Sequence, residues 1–276
     1  MRPLTGMPEL AEVEYFRKRW DPGLGRRVTE VRLPRATRPT RGLTAAKLHA
    51  ALEGRRLRAS FAAAKQMAFR FEGGVWLGIH LGMTGRTECV GADGTPPHEA
   101  LSLLMSGGRR LVFADPRQFG RVRLWTGPGE PDWWSAIAPA VLSDAFTEEA
   151  VAAFLRRRAR SPIKAVLLMQ ERFPGVGNWM ADEVLWRAGF HPRAKAGAFG
   201  PVSVRRLHAT LREVCADALR VIGKDWSDPP DSWLFNHRWE DGGVCPRTRA
   251  PLRRAEVGGR TACWSPARQR LGAERR

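Results

Sequence analysis

Apolar residues recur in short runs along the first half of the chain and at helical spacing along the second. Val28–Leu33, Leu57–Phe61, Met67–Phe71, Val75–His80, Leu101–Met105, Leu111–Phe113 and Arg121–Trp125 have strand length and are parted mostly by stretches rich in Gly, Pro and Asp. That pattern predicts a sandwich or barrel of mainly antiparallel strands. A helix is predicted over residues 9–20, stopped by Asp21-Pro22-Gly23. After Gly127-Pro128-Gly129 the period changes. Thr147-Glu148-Glu149 opens a helix that runs to about Arg160, and Ser161-Pro162 opens the next, with Ser161 as its cap and Pro162 at the first helical position. Asn178 can cap a helix ending near Gly189. Ser203 is expected to cap a long one whose Leu207, Leu211, Val214, Ala218 and Ile222 share a face. Gly242-Gly243 and Gly258-Gly259 punctuate a basic hairpin. The chain therefore reads as α+β in three parts: an N-terminal β-sandwich (1–130), a helical part (131–235) and a C-terminal hairpin (236–276).

Charge narrows the partner. The 276 residues carry a formal net charge of +18, which suits a polyanion because each neutralised phosphate releases condensed counterions. An anionic membrane is the other polyanionic surface. No basic amphipathic helix and no long apolar run supports it. The polar, proline-containing start, Met1 to Glu12, does not read as a signal peptide. Cys89, Cys215, Cys245 and Cys263 are too scattered for a secreted disulfide framework, so a cytoplasmic location is expected. Only six of the 46 basic residues are Lys. A general swap of Lys for Arg explains that, and it draws attention to the lysines that remain.

Three stretches carry candidate chemistry. The first is Met7-Pro8-Glu9-Leu10-Ala11-Glu12-Val13-Glu14. It reads either as an ordinary acidic helix start or as a proline whose secondary amine, if terminal, attacks a sugar C1′ while Glu9 moves protons. The second is Pro174-Gly175-Val176-Gly177-Asn178, with Lys164 one helix upstream. It is either a plain connecting turn or a phosphate seat at a helix N-terminus. The third is Gly259-Arg260-Thr261, either a solvated charge run or a hairpin that sets Arg260 against a phosphate.

Taken in order with Ala64-Lys65, His80-Leu81-Gly82-Met83-Thr84-Gly85 and Asp115-Pro116-Arg117-Gln118-Phe119-Gly120, these residues resemble the formamidopyrimidine-DNA glycosylase and endonuclease VIII family over nearly the whole chain. The resemblance implies a helix-two-turn-helix fold for the central part. It implies a bifunctional glycosylase and abasic-site lyase that binds damaged double-stranded DNA between the first two parts, as a monomer. Pro8 resembles the amine nucleophile, Glu9 the proton carrier and Lys65 a phosphate-contacting lysine that assists catalysis. Asn178 and Arg260 resemble the pair that grips the phosphates flanking the damaged nucleotide. Met83, Arg117 and Phe119 resemble the residues that fill the hole left by the extruded base. Met and Phe near strands are otherwise ordinary core residues.

The chain departs from that pattern in three places. The family's C-terminal finger holds zinc with two Cys-x-x-Cys pairs. Here Cys245-Pro246-Arg247-Thr248 lacks its second thiol, and the other pair falls at Cys263 and Pro266 or, counted from Arg260, at Ser265 and Arg268. Two thiolates at most do not close a structural zinc site. A zincless finger packed around Trp264 is expected, with no metal or organic cofactor. Gly223 to Trp239 is shorter than in relatives that grip oxidised guanine, whereas Met83, Arg117 and Phe119 favour purine lesions. Finally, the numbering begins six residues before Met7. A start at Met1 leaves the Pro8 nitrogen in an amide with its lone pair delocalised. Internal initiation at Met7, or trimming, frees it and is the expected course. A chain that keeps residues 1–7 is expected to bind lesions without catalysis. A general architectural DNA binder would explain the charge but not Pro8, Glu9 and Lys65.

Overall fold

The computed structural model describes residues 7–34 and 37–272, in two compact units divided between Ile137 and Ala138. Met1 and Arg2, on which the question of the start turns, lie outside the described residues. In the first unit, helix α1 (Leu10–Lys18) leads into a 3-10 turn at Asp21–Gly23. It starts one residue later and ends two earlier than predicted. Helix α2 (Ala45–Leu52) follows strand β1 (Val28–Arg32), and then come β2 (Leu57–Ala63), β3 (Gln66–Phe71), β4 (Val75–His80), β5 (Arg86–Gly91), β6 (Glu99–Met105), β7 (Arg109–Ala114) and β8 (Arg121–Thr126). A single-turn helix α3 (Asp132–Ser135) completes the unit. The strands form two four-stranded antiparallel sheets, ordered β1-β6-β7-β5 and β2-β3-β4-β8. Val31, Leu101, Leu103, Leu111 and Phe113 of one sheet and Met67, Phe69, Leu77 and Ile79 of the other are buried in the core. Helix α1 packs on β2, β3 and β5. Its far end is tied down by Trp20, whose indole N–H donates to Val112 O at 3.1 Å.

The second unit holds α4 (Glu148–Arg157), α5 (Ile163–Leu167), α6 (Asn178–Ala188), α7 (Pro201–Asp225) and the hairpin β9 (Arg253–Val257) and β10 (Arg260–Trp264). Thr147 caps α4, accepting from Ala150 N at 3.2 Å. Three other helix starts differ from expectation. Pro162, not Ser161, is the N-cap of α5, and Gly177, not Asn178, is the N-cap of α6. Helix α7 begins at Gly200-Pro201, where proline's fixed φ suits the first turn, so Ser203 is buried inside the helix instead of capping it. At the other end of α6, Gly189 takes φ +75° and closes the helix in the left-handed conformation. Among the described residues no helix is long and apolar enough to cross a membrane.

Candidate functional site

In the first unit, Pro8 and Glu9 stand at the head of α1, both buried. Glu9 is the N-cap and forms a reciprocal capping box with Glu12, its N–H donating to Glu12 Oε2 at 3.2 Å. The residue pair that reads as an ordinary helix start thus does cap the helix, and the capping rigidly orients the backbone at Pro8. Lys65 lies in the two-residue turn between β2 and β3. Ala64 there takes φ +54°, a left-handed conformation that costs a non-glycine residue about 1 kcal/mol or more. The register pairs Gln66 with His80, and His80 with Arg121. Burial, then the positive charges of Lys65 and Arg123, holds the His80 pKa below its ordinary value. His80 Nδ1 accepts from Gly82 N at 3.0 Å, so the neutral imidazole orders the start of the next loop. Sequence reasoning does not single out His80. The signal available is a histidine closing a strand two residues before a glycine.

Met83, Arg117 and Phe119 come together on two abutting loops. A Cβ on Gly82, whose φ is +66°, would lie 2.4 Å from the Phe119 carbonyl carbon, so only glycine allows the approach. Asp115, 2% exposed, joins the loops. Its Oδ2 accepts from Gly120 N at 2.7 Å and its Oδ1 from the Thr84 hydroxyl at 3.2 Å. The Thr84 oxygen in turn accepts from Arg117 N at 3.3 Å. Phe119 is 48% exposed, and the Arg117 guanidinium stacks over its ring at 5.0 Å. At that exposure Phe119 is not a core residue, and the braced loop holds its ring out to solvent.

In the second unit, the turn between α5 and α6 is braced by Gln170, which accepts from Gly175 N at 3.0 Å and donates to Val176 O at 2.8 Å. Asn178 is the first residue of α6, and its Oδ1 is buried without a hydrogen-bond partner. That oxygen accepts and cannot itself meet an anion; what a phosphate could use here is the Asn178 amide NH2 group and the backbone N–H groups at the start of α6. Arg260 is exposed where β10 leaves the Gly258-Gly259 turn. Lys164, expected beside the phosphate, is instead wholly buried. Its ammonium is ion-paired to Asp182 Oδ1 at 2.5 Å and donates to Asn178 O at 2.6 Å. A lysine in that position supports Asn178 from behind and does not reach solvent. Asp182, which no sequence motif marks out, also binds Arg238 at 2.5 Å and accepts from Cys263 N at 3.0 Å.

The finger is organised around Trp186 of α6, with Leu234, Cys245, Leu252 and Cys263. Trp264, the expected centre, instead meets His191 edge-on at 5.2 Å. The positions that hold zinc in the resembled pattern do converge. The Cys245 thiol accepts from the Trp186 indole N–H at 3.3 Å, and the Arg268 guanidinium stacks on Trp186 at 5.7 Å. Burial pushes the Cys245 thiol up, but Thr248 and Trp186, with a weaker contribution from the Ser265 hydroxyl, outweigh it and bring the pKa down to about 7. Ser265 Oγ makes no hydrogen bond of ordinary geometry, so the lowering belongs mainly to Thr248 and Trp186. Cys263 goes the opposite way, to about 12, through burial and the Asp182 charge. One thiol, two hydroxyls and a guanidinium do not match the donor set of a structural zinc. Folding favours the Cys245 thiolate, so its contribution to stability is complete above the ordinary thiol range and disappears as the pH falls through about 7. Thermal unfolding of the wild type and Cys245→Ala should therefore diverge by about 2 kcal/mol more at pH 9 than at pH 6. A pH-independent difference would contradict a folded thiolate.

Comparison with known proteins places these features in one family. The formamidopyrimidine-DNA glycosylase N-terminal domain matches residues 7–122, and the H2TH domain of the same enzyme matches residues 137–228. The formamidopyrimidine-DNA glycosylase of Chloroflexus aggregans is 35% identical over 96% of this chain and 99% of its own length. That of Thermus thermophilus is 36% identical over 96% and 100%. The crystal structure of the MutM (Fpg) protein from Thermus thermophilus superposes with a TM-score of 0.78 at 34% identity, covering 96% of this chain and 100% of that one. The Lactococcus lactis formamidopyrimidine-DNA glycosylase non-covalently bound to DNA containing an abasic site superposes at 0.82 with 25% identity, over 95% and 99%. The chain belongs to the formamidopyrimidine-DNA glycosylase family of DNA-repair enzymes.

Proposed function

We propose that the protein removes oxidised or ring-opened bases, purines foremost, from duplex DNA and then cuts the strand by β-elimination, using Pro8 as the nucleophile. The observation that carries this reading is the fixed head of α1, where Pro8 precedes the capping Glu9, within a match to the family that begins at residue 7. Removal of Met7 from a chain initiated there leaves a secondary amine. Its lone pair attacks C1′, the glycosidic bond breaks, and the base leaves with a proton. The C1′–O4′ bond then breaks, with Glu9 giving its proton to O4′, and the nitrogen lone pair forms the iminium; this acidifies C2′, and loss of that proton expels the 3′ phosphate. Lys65 contacts phosphate at the same site.

Flipping the base costs a few kcal/mol. Phe119 and Met83 offset part of it by filling the stack, and Arg117 meets the widowed base. Asn178 and Arg260 hold the flanking phosphates. The finger works without zinc, its hairpin fastened through Trp186 and Cys245. Chelation with EDTA should leave activity unchanged, and elemental analysis should find no stoichiometric zinc; one tightly bound zinc per chain would contradict this part of the reading.

The test of the whole reading is a panel of matched duplexes carrying an oxidised guanine, a formamidopyrimidine, an oxidised pyrimidine, an abasic site or no lesion. Excision should be fastest on the purine lesions and absent on intact DNA, and the abasic duplex should be bound more tightly than the intact one. Equal affinity for all five, with no incision, would mark an architectural DNA binder instead.

A further inference from the structure

We propose that Asp182 is a positioning residue that holds Asn178 and Arg260 at a fixed spacing, so that both reach their phosphates together. The inference rests on the reading of Asn178 and Arg260 as phosphate contacts. It adds a group that touches neither phosphate.

Asp182 lies four residues after Asn178, one turn along the same face of α6. It is 1% exposed. One carboxylate oxygen takes Lys164 Nζ at 2.5 Å, and that ammonium also donates to the Asn178 carbonyl at 2.6 Å. The first arm of the clamp is therefore tied to Asp182 through a single buried cation. The other oxygen accepts from Arg238 Nη2 at 2.5 Å and from Cys263 N at 3.0 Å. Cys263 stands opposite Arg254 in the two-stranded ladder, with its N–H turned away from β9. The carboxylate does for that edge what a third strand would do. Cys263 is three residues beyond Arg260 on β10, so the second arm is tied to the same carboxylate.

The tip of the hairpin gives an independent sign of this registration. A Cβ on Gly258 would come within 2.5 Å of the Ala165 methyl, so the turn that presents Arg260 is seated on α5 beside Lys164. Both arms thus converge on α5 and Asp182. The Asp182 carboxylate faces two cations, Lys164 and Arg238. Lys164→Met leaves a balanced Asp182–Arg238 pair and is the variant expected to fold without difficulty.

The experiment is a pair of double-mutant cycles on the full chain, reading affinity for a duplex with a tetrahydrofuran abasic analogue between 50 and 200 mM salt. These concentrations are roughly the range over which phosphate contacts are resolved by their salt slope. Arg260→Ala should lose about tenfold and flatten the salt slope by about one. Asp182→Asn should lose at least as much and flatten the slope similarly. Adding Asp182→Asn to Arg260→Ala should then cost less than its effect on the wild type. Lys164→Met should couple in the same way to Asn178→Ala, and this second cycle decides the matter if Asp182→Asn does not fold. Losses that multiply in the cycles, or an unchanged salt slope in Asp182→Asn, would show a merely structural carboxylate and overturn the positioning role. Wild-type binding by both Arg260→Ala and Asn178→Ala would overturn the clamp reading beneath it.

Discussion

A chain that begins at Pro8 should incise an abasic duplex, and the same chain carrying residues 1–7 should do so about a thousandfold more slowly or not at all. The difference is a single bond. In an internal position the Pro8 nitrogen shares its lone pair with the Met7 carbonyl and is not nucleophilic. Freed, it is a secondary amine at the head of a helix whose start is fixed by the Glu9–Glu12 capping box. Loss of a covalent nucleophile removes a whole reaction channel, and so the effect on rate is expected to dwarf that on binding. Binding to the abasic analogue should change by less than about tenfold, because the wedge and phosphate-contacting residues are untouched. The measurement is single-turnover incision by the two chains, with affinity measured in parallel. Equal rates would remove Pro8 from the chemistry.

The second large effect is expected at Asp115, which touches neither sugar nor base in this scheme. Its buried carboxylate holds Gly120 N and the Thr84 hydroxyl, and Thr84 holds Arg117 N. Asp115→Ala leaves those donors without their acceptor in a protected site, at a cost of about 3 kcal/mol. Because the loops carrying Met83 and Phe119 meet at the Gly82 contact, they should separate together. Melting temperature should fall by roughly 10 °C for a unit of this size. Excision of a base that must be flipped should fall by about a hundredfold, whereas incision of a site that has already lost its base should be less affected. Equal losses on both substrates would mean that Asp115 only stabilises the sheet.

Much of this fold is legible in sequence because buried strands announce themselves. The central strands β4 and β7 are buried over Val75–Ile79 and Leu111–Ala114 and appear there as unbroken apolar runs, whereas β3 is interrupted by the exposed Arg70. The strand β5, Arg86–Gly91, does not appear because it is a sheet edge whose one fully buried residue is the polar Thr87 and which lacks a run of apolar residues. Helix α2 escapes as well. It is eight residues long and buries only Leu48, Ala51 and Leu52, although Thr44, which accepts from Lys47 N, is a readable cap. The site divides in the same way. Pro8, Glu9, Met83, Phe119 and Asn178 sit in local motifs whose glycines and turns are visible in sequence. Lys164 is misplaced by sequence reasoning and Asp182 overlooked because their pairing joins α5 to α6 across 18 residues. No local period records whether a lysine faces solvent or a buried carboxylate. The finger shows the same limit: loss of its thiols is plain, but the replacement core around Trp186 depends on contacts between distant segments.

The most direct test of the central claim is where DNA becomes attached. Borohydride reduction during turnover on abasic duplex, followed by digestion and mass spectrometry, should yield one cross-linked peptide with the sugar on the nitrogen of Pro8 and no residue before it. Pro8→Gly should weaken or abolish the adduct. An adduct mapped to Lys65 or another lysine, or no adduct from a chain whose terminus is verified as Pro8, would contradict the imine mechanism.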